Sequence, residues 1–139
     1  MPASIFDHFK MPPVAALLGW KLIDINVEEK WIKLGFDAKP EFLNPVGNIQ
    51  GGILAAMLDD TMGPLVVAAT NRESFATTIN LSVSFIRPVK PGPVTATAQI
   101  TGMGTRVAFM EGKLFDANER LCARATATAL LVKFERPAE

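Results

Sequence analysis

Apolar and polar residues alternate in "WKLIDINV" (20–27) and again in "WIKLGF" (31–36), with residues 28–30 between them, which is the pattern of a β-hairpin. Residues 5–19 read as one or two short helical turns broken at Pro12–Pro13, and residues 37–48, with two prolines, two asparagines and a glycine, read as loop. From residue 51 to about residue 70 the pattern becomes helical. Here Ile53, Leu54, Met57, Leu58, Met62, Leu65 and Val66 go round the whole cylinder, which predicts a helix surrounded by protein, with Pro64 removing one internal hydrogen bond. Four strands follow: "FATTINLSVSFIRP", "GPVTATAQITG", "RVAFMEGKLFD" and "RLCARATATALLVKF". In the first of these, strict alternation puts Ile79, Leu81, Val83 and Phe85 on one face. In the last it aligns Leu121, Ala123, Ala125, Ala127 and Ala129, an alanine stripe that lets a helix come close, and puts Cys122 on the opposite, more polar face with Arg124 and Thr126. The order is hairpin, one long helix, then an antiparallel run. It predicts an α+β layer in which a curved sheet of about six strands wraps one helix.

Length and composition narrow the function. A chain of 139 residues is expected to be one domain spanning 1–139. Hydrophobic residues make up 49% and mean hydropathy is +0.24, which suggests further burial in an oligomer. No apolar stretch of about 18 residues is free of charge, so no membrane span is expected, and the N-terminus lacks the basic and apolar regions of a signal peptide. Net charge is zero with scattered Lys and Arg, so neither nucleic acid nor a membrane surface is an expected partner. With one cysteine, Cys122, and one histidine, His8, an internal disulfide and a Cys/His zinc site are excluded by count. A cytoplasmic location is the default expectation, and no metal or cofactor is called for. A histidine-based triad would have to recruit His8 from the N-terminal segment. The remaining chemistry runs on carboxylates, hydroxyls, amides and backbone N–H groups.

The stretch "GNIQGGILAAMLDD" (47–60) concentrates that chemistry. A helix N-terminus carries free N–H groups and roughly half a positive charge, and Gly51 and Gly52 leave it unobstructed. A carbonyl oxygen or a phosphate fits there; equally, the glycines serve close packing. Asp59 and Asp60 interrupt an apolar helix. A buried acid is costly unless paired or solvated, and no cation lies at helical spacing, Arg72 being thirteen residues beyond Asp59.

Asn44-Pro-Val-Gly47, then Gln50-Gly51-Gly52, then Asp59 resembles the hotdog-fold acyl-CoA thioesterases, above all the phenylacetic-acid-degradation subfamily. The resemblance covers most of the chain and continues through "VSFIRPVKPG" and the final strands. The family pattern has an asparagine, a glycine, His-Gly-Gly and an acid eight residues after the first of those glycines; here Gln50 replaces the histidine. The resemblance implies hydrolysis of an aryl or medium-chain aliphatic acyl-CoA. It picks Asp59 as general base or nucleophile and the Gly51 N–H as oxyanion donor. Gln50 then polarises the carbonyl without acting as general acid. Thr78 holds the attacking water or steadies Asp59, and Asn44 bonds the water or closes its loop. Gly52 contributes to substrate binding, and Arg87, Lys90 and Arg106 are candidates for the coenzyme A phosphates. Met57, Met62, Phe75, Phe85 and Met110 are candidates for the acyl pocket. Gly51 and Asp59 are about 12 Å apart along a helix. They therefore serve one carbonyl only if they come from different subunits of a homodimer, or of a dimer of dimers. Two other activities fit the same fold: a hydratase or dehydratase, which usually pairs an acid with a histidine, and a non-catalytic acyl-CoA-binding module.

Overall fold

The computed structural model describes Phe6 and residues 9–133. Pro12–Pro13 start a helix rather than break one: α1 spans Pro13–Leu18 with Pro13 at its first position, where a fixed φ helps and a missing N–H costs nothing. It stops at Gly19, whose φ of 73° lets the N–H groups of Gly19 and Trp20 turn back to the carbonyls of Ala16 and Ala15. Strands β1 (Lys21–Asn26) and β2 (Trp31–Ala38) form the predicted hairpin, β2 running two residues further than its alternation suggests. A single 3-10 turn, Pro40–Phe42, interrupts the loop that leads to helix α2 (Gly51–Ala69). Strands β3 (Ser74–Phe85), β4 (Gly92–Met103), β5 (Val107–Phe115) and β6 (Leu121–Lys133) complete one antiparallel sheet of order β1-β2-β4-β5-β6-β3. Strands β2 and β3 lie near opposite edges, so α2 carries the chain across the whole sheet face.

The floor under α2 is made of small side chains. Ala98, Gly112 and Ala125 stand in register across β4, β5 and β6, and Ala123, Ala127 and Ala129 extend the row. A Cβ at Gly112 would lie 3.2 Å from Leu58 Cδ2 and 3.4 Å from Met62 Sδ, so the helix rests at van der Waals contact with the strand. Met57, Met62 and Met110 are buried in this core, the commoner of the two roles open to them, and are not on the wall of the cavity described below.

Helix α2 is not surrounded by its own chain. Leu54, Met57, Leu58, Thr61, Met62, Leu65 and Val66 are buried, but Gly52, Ala55, Ala56, Asp59, Asp60 and Gly63 stay partly open. The seven large apolar residues span only about 220° of the helix, and Gly52, Ala56, Asp59 and Gly63 fall in the arc they leave. The helix is long and apolar enough to cross a bilayer, but here it packs along the sheet.

Two bulges overturn strict alternation. Between Thr78 and Asn80 the register with β6 shifts, so Ile79 is the extra residue and leaves the face of Leu81, Val83 and Phe85. Thr78, opposite Ala129, takes the helix-facing side instead. In β6 the register jumps from Ala123 to Leu121, and Cys122 is the extra residue. It is fully buried rather than on the polar face; its thiol donates to the Arg120 carbonyl at 3.3 Å, and burial, then the charge of Asp116, push its pKa up.

Gly112→Val adds two methyls and a Cβ where only a hydrogen fits, so we expect a loss of about 1–3 kcal/mol. A Tm drop of roughly 3–15 °C in a thermal melt checks this; an unchanged Tm contradicts the close seating of α2.

Candidate active site

The sequence-predicted residues fall into two groups at the two ends of the first half of α2. The first gathers round the helix N-terminus. Asn44 closes its own loop: its Oδ1 accepts the N–H groups of Val46 (3.1 Å) and Asn48 (3.0 Å). The loop is tied down on both sides, by the Gln50 N–H to Phe42 O and the Ile49 N–H to Val89 O, both 2.8 Å. Lys90 Nζ donates to Gly47 O at 3.2 Å, so it sits against this loop. Gln50 is the N-cap residue and is exposed; its side chain makes no capping hydrogen bond to the leading N–H groups of the helix. The two glycines differ. A Cβ at Gly51 would stand 3.2 Å from the Phe85 ring, whereas one at Gly52 would meet nothing. Phe85 thus packs on the helix start and is not on the wall of the cavity described below.

The second group lies eight residues along, about 12 Å away. Thr78 Oγ1 donates to Asp59 Oδ1 at 2.8 Å. The bulge at Ile79 makes this bond possible, because without it Thr78 and Leu81 would face opposite sides of the sheet. Among the described residues the one ion pair is Asp116–Arg120, so Asp59 has no cationic partner there. Asp59, Asp60 and Thr78 share the wall of a cavity of about 540 Å³. The rest of its wall is mostly apolar: Phe6, Phe9 and Met11 from the N-terminal segment, Trp20, Pro64 and Val67, and Phe75 from β3. Gly51, Gly52, Gln50 and Asn44 are not on it. Arg87 is exposed at the end of β3 and donates to Leu121 O at 2.7 Å. Arg106 is exposed on the β4–β5 turn, where its carbonyl accepts from Leu131, at the opposite end of β3 from Arg87 and Lys90. The three cations therefore form no single patch within one chain. His8 lies outside the described residues. Among the described residues no group of three or more His, Cys, Asp or Glu is placed to hold a metal.

Sequence reasoning missed the part played by Trp20 and Asp60. Pro64 has no N–H, so the carbonyl four residues back, that of Asp60, loses its helical partner. Trp20 Nε1 takes that place at 3.1 Å. The indole also meets Phe6 edge to face, with centroids 5.4 Å apart, and so anchors the N-terminal wall of the cavity. The signal was present: a proline inside a helix announces a free carbonyl at a known position, and a tryptophan near a core needs an acceptor. Asp60 Oδ2 is buried with no hydrogen-bond partner. Burial, then the neighbouring charge of Asp59, raises the Asp60 pKa to about 6.

Trp20→Phe leaves the Asp60 carbonyl unpaired and should cost about 1–3 kcal/mol in denaturant unfolding. In a Pro64→Ala background the helix supplies its own N–H, so the same change should cost clearly less; equal costs would show that the Trp20–Asp60 bond does not replace the lost helical one. The Asp60 shift has a sign. A carboxyl whose folded pKa is raised to about 6 from 3.8 favours the folded state fully below pH 3.8, and that contribution is lost as pH rises through 6. Asp60→Asn should therefore raise Tm relative to the native protein at pH 8, and the gain should vanish near pH 4. A gain independent of pH would contradict the shift.

Comparison with known proteins bears on this arrangement. A crystal structure of a phenylacetic acid degradation-related protein from Ralstonia eutropha JMP134 superposes with a TM-score of 0.85 and 35% identity, covering 91% of this chain and 95% of that one. The medium/long-chain acyl-CoA thioesterase YigI of Escherichia coli K12 is 29% identical over 122 residues, 75% of this chain and 77% of that protein. The E. coli PaaI protein from the phenylacetic acid degradation operon shares the fold, with a TM-score of 0.73 at 20% identity over 85% of this chain and 83% of that one. The sequence model of the thioesterase superfamily matches residues 46–123, which takes in the whole of α2, Thr78 and the bulged strand β3. With its single long helix laid on a six-stranded antiparallel sheet, the chain has the hotdog fold and belongs to the thioesterase superfamily.

Proposed function

We propose that the chain hydrolyses acyl-CoA thioesters in sites that two copies build together. The observation that carries this reading is the Asp59–Thr78 bond on the wall of an apolar cavity. Thr78 fixes one carboxylate oxygen and leaves Oδ2 to act. That oxygen either takes a proton from water, whose oxygen attacks the thioester carbon, or attacks the carbon itself to form an anhydride that water then opens. The developing oxyanion needs fixed donors, each worth about 10²–10³ in rate. The Gly51 N–H and the Gln50 side-chain amide of the second copy supply them, because those of the same chain are about 12 Å away. The products are the free acid and the thiol of coenzyme A. A largely apolar cavity of about 540 Å³ suits an aryl or a medium-chain aliphatic acyl group. Gly52, Arg87, Lys90 and Arg106 remain the candidates for the coenzyme, and the cytoplasm is where such a substrate would be met.

A panel of acyl-CoA esters read by release of free thiol tests the activity. Asp59→Asn should abolish most turnover while ester binding persists, and a loss centred on Asp60→Asn instead would reject Asp59. Mixing Asp59→Asn with Gly51→Val chains tests the shared site. One of the two sites in each mixed dimer is then intact, so activity should return to about half the native value per mixed dimer. No recovery, with subunit exchange confirmed by mass spectrometry, places the site within one chain.

A further inference from the structure

Gly63 sits in the interior of α2, where glycine weakens a helix relative to alanine. Its φ is not in the left-handed region, so the backbone does not require it. Packing does not require it either: a Cβ at this position would meet nothing within 4 Å among the described residues. One local reason remains, since a Cβ before a proline is crowded in a helix and Pro64 follows. That crowding does not account for the open space in front of the residue, which is partly exposed and lines the cavity.

The direction of the cavity gives the space a use. Asp59, Gly63 and Val67 follow one another at intervals of four, so they share one ridge of α2, and all three are on the wall. Beyond Asp59 the helix adds Gly63, Pro64 and Val67, and before it only Ala56. Strand β3 supplies Thr78 at the Asp59 end, then Ala76 and Phe75. The cavity thus extends from the carboxylate along the second half of α2, and Gly63 stands about 6 Å past Asp59 on the helix axis. A long side chain at this position would lean back over the preceding turn, toward Asp59. We propose that Gly63 is a specificity-determining residue, whose missing side chain opens the passage by which an acyl group extends from the carboxylate into the apolar end of the cavity. This inference rests on the thioesterase reading for the identity of the group in the passage.

Steady-state kinetics of Gly63→Ala and Gly63→Val with acetyl-CoA and octanoyl-CoA test it. The native protein should favour octanoyl-CoA in kcat/KM, and that preference should fall about threefold with alanine and about tenfold or more with valine. Alanine, the smaller change, carries the test if the valine protein does not fold. An undiminished preference in the folded variants overturns the proposal. So does an equal loss for both esters, which would place the effect on Asp59 rather than on the acyl group. Calorimetry gives a readout without turnover. The Asp59→Asn protein should bind octanoyl-CoA about tenfold or more tighter than coenzyme A, and adding Gly63→Val should remove most of that gain. No gain in the single variant, or the same gain in the double variant, overturns the proposal. Sedimentation of Gly63→Val checks the other occupant: an assembly that falls apart would show that a second copy fills the space, which also overturns it. If the native protein hydrolyses neither ester while the binding gain depends on Gly63, the thioesterase reading fails and the role of Gly63 stands. If both esters are hydrolysed and substitution at Gly63 leaves the preference as it was, the thioesterase reading stands and this proposal fails.

Discussion

The close seating of α2 on the sheet is the constraint from which the rest follows. Helix and sheet can approach only where the facing strands carry almost no side chain, and Ala98, Gly112 and Ala125 provide that across three strands. Leu58 and Met62 drop into the space, which fixes both the height of the helix and its rotation. Rotation decides where the acids go. With Leu54, Met57, Leu58 and Thr61 turned to the floor, Asp59 has to leave the helix toward edge strand β3, where the bulge presents Thr78. A bulkier floor would lift the helix, and the same carboxylate would lose the hydroxyl that orients it.

The second fixed point is a defect. Pro64 deletes a hydrogen bond in the middle of the helix that crosses the sheet, a loss that a tertiary donor repairs. Because Trp20 reaches in from the turn between α1 and β1, the repair also ties the N-terminal segment to the middle of the helix. The cavity beside Asp59 owes one wall to this tie: Phe6 leans on the indole, and Phe9 and Met11 continue the wall. A regular helix would have been more stable locally but would have given Trp20 no reason to lie there.

Much of this was legible in the sequence, and the failures share a cause. The hairpin, the long helix, the four-strand run and the alanine stripe follow from periodicity, and the family resemblance offered Thr78 either as holder of a water or as support for Asp59, the second of which the structure shows. What failed were inferences that assume an uninterrupted period of two or an isotropic hydrophobicity. Ile79 and Cys122 are misplaced because one extra residue in each strand flips everything beyond it, and bulges leave no mark in composition. The open face of α2 was missed because the seven large apolar residues were taken to encircle the helix, whereas at 3.6 residues per turn they cover only about 220° of it. The methionines stayed open between core and ligand wall because their flexibility suits either role, and packing places Met57, Met62 and Met110 in the core. The cavity walls from the N-terminal segment depend on contacts far apart in the chain, which no local pattern records.

The division of the site along one helix sets a geometric condition on assembly. Strand β3 is an edge, and an uncovered edge beside exposed Ile79 and Phe85 is a surface that folded proteins usually cover. The partly open side of α2 adjoins it, with Gly52, Ala55 and Ala56 projecting little. Suppose a second copy covers both through a two-fold axis. Two copies of α2 then run antiparallel across that axis, and residue n of one lies beside the residue of the other that is equally far past the crossing point. For Gly51 to meet Asp59 the crossing has to fall midway between them, at residue 55. That residue is an alanine flanked by Ala56, with Gly52 one turn before it, so the helices can approach closely where the condition demands it. In such an assembly the small residues of the open face and the eight-residue spacing from Gly51 to Asp59 would answer to one geometric condition, the close crossing of two copies of α2 at residue 55.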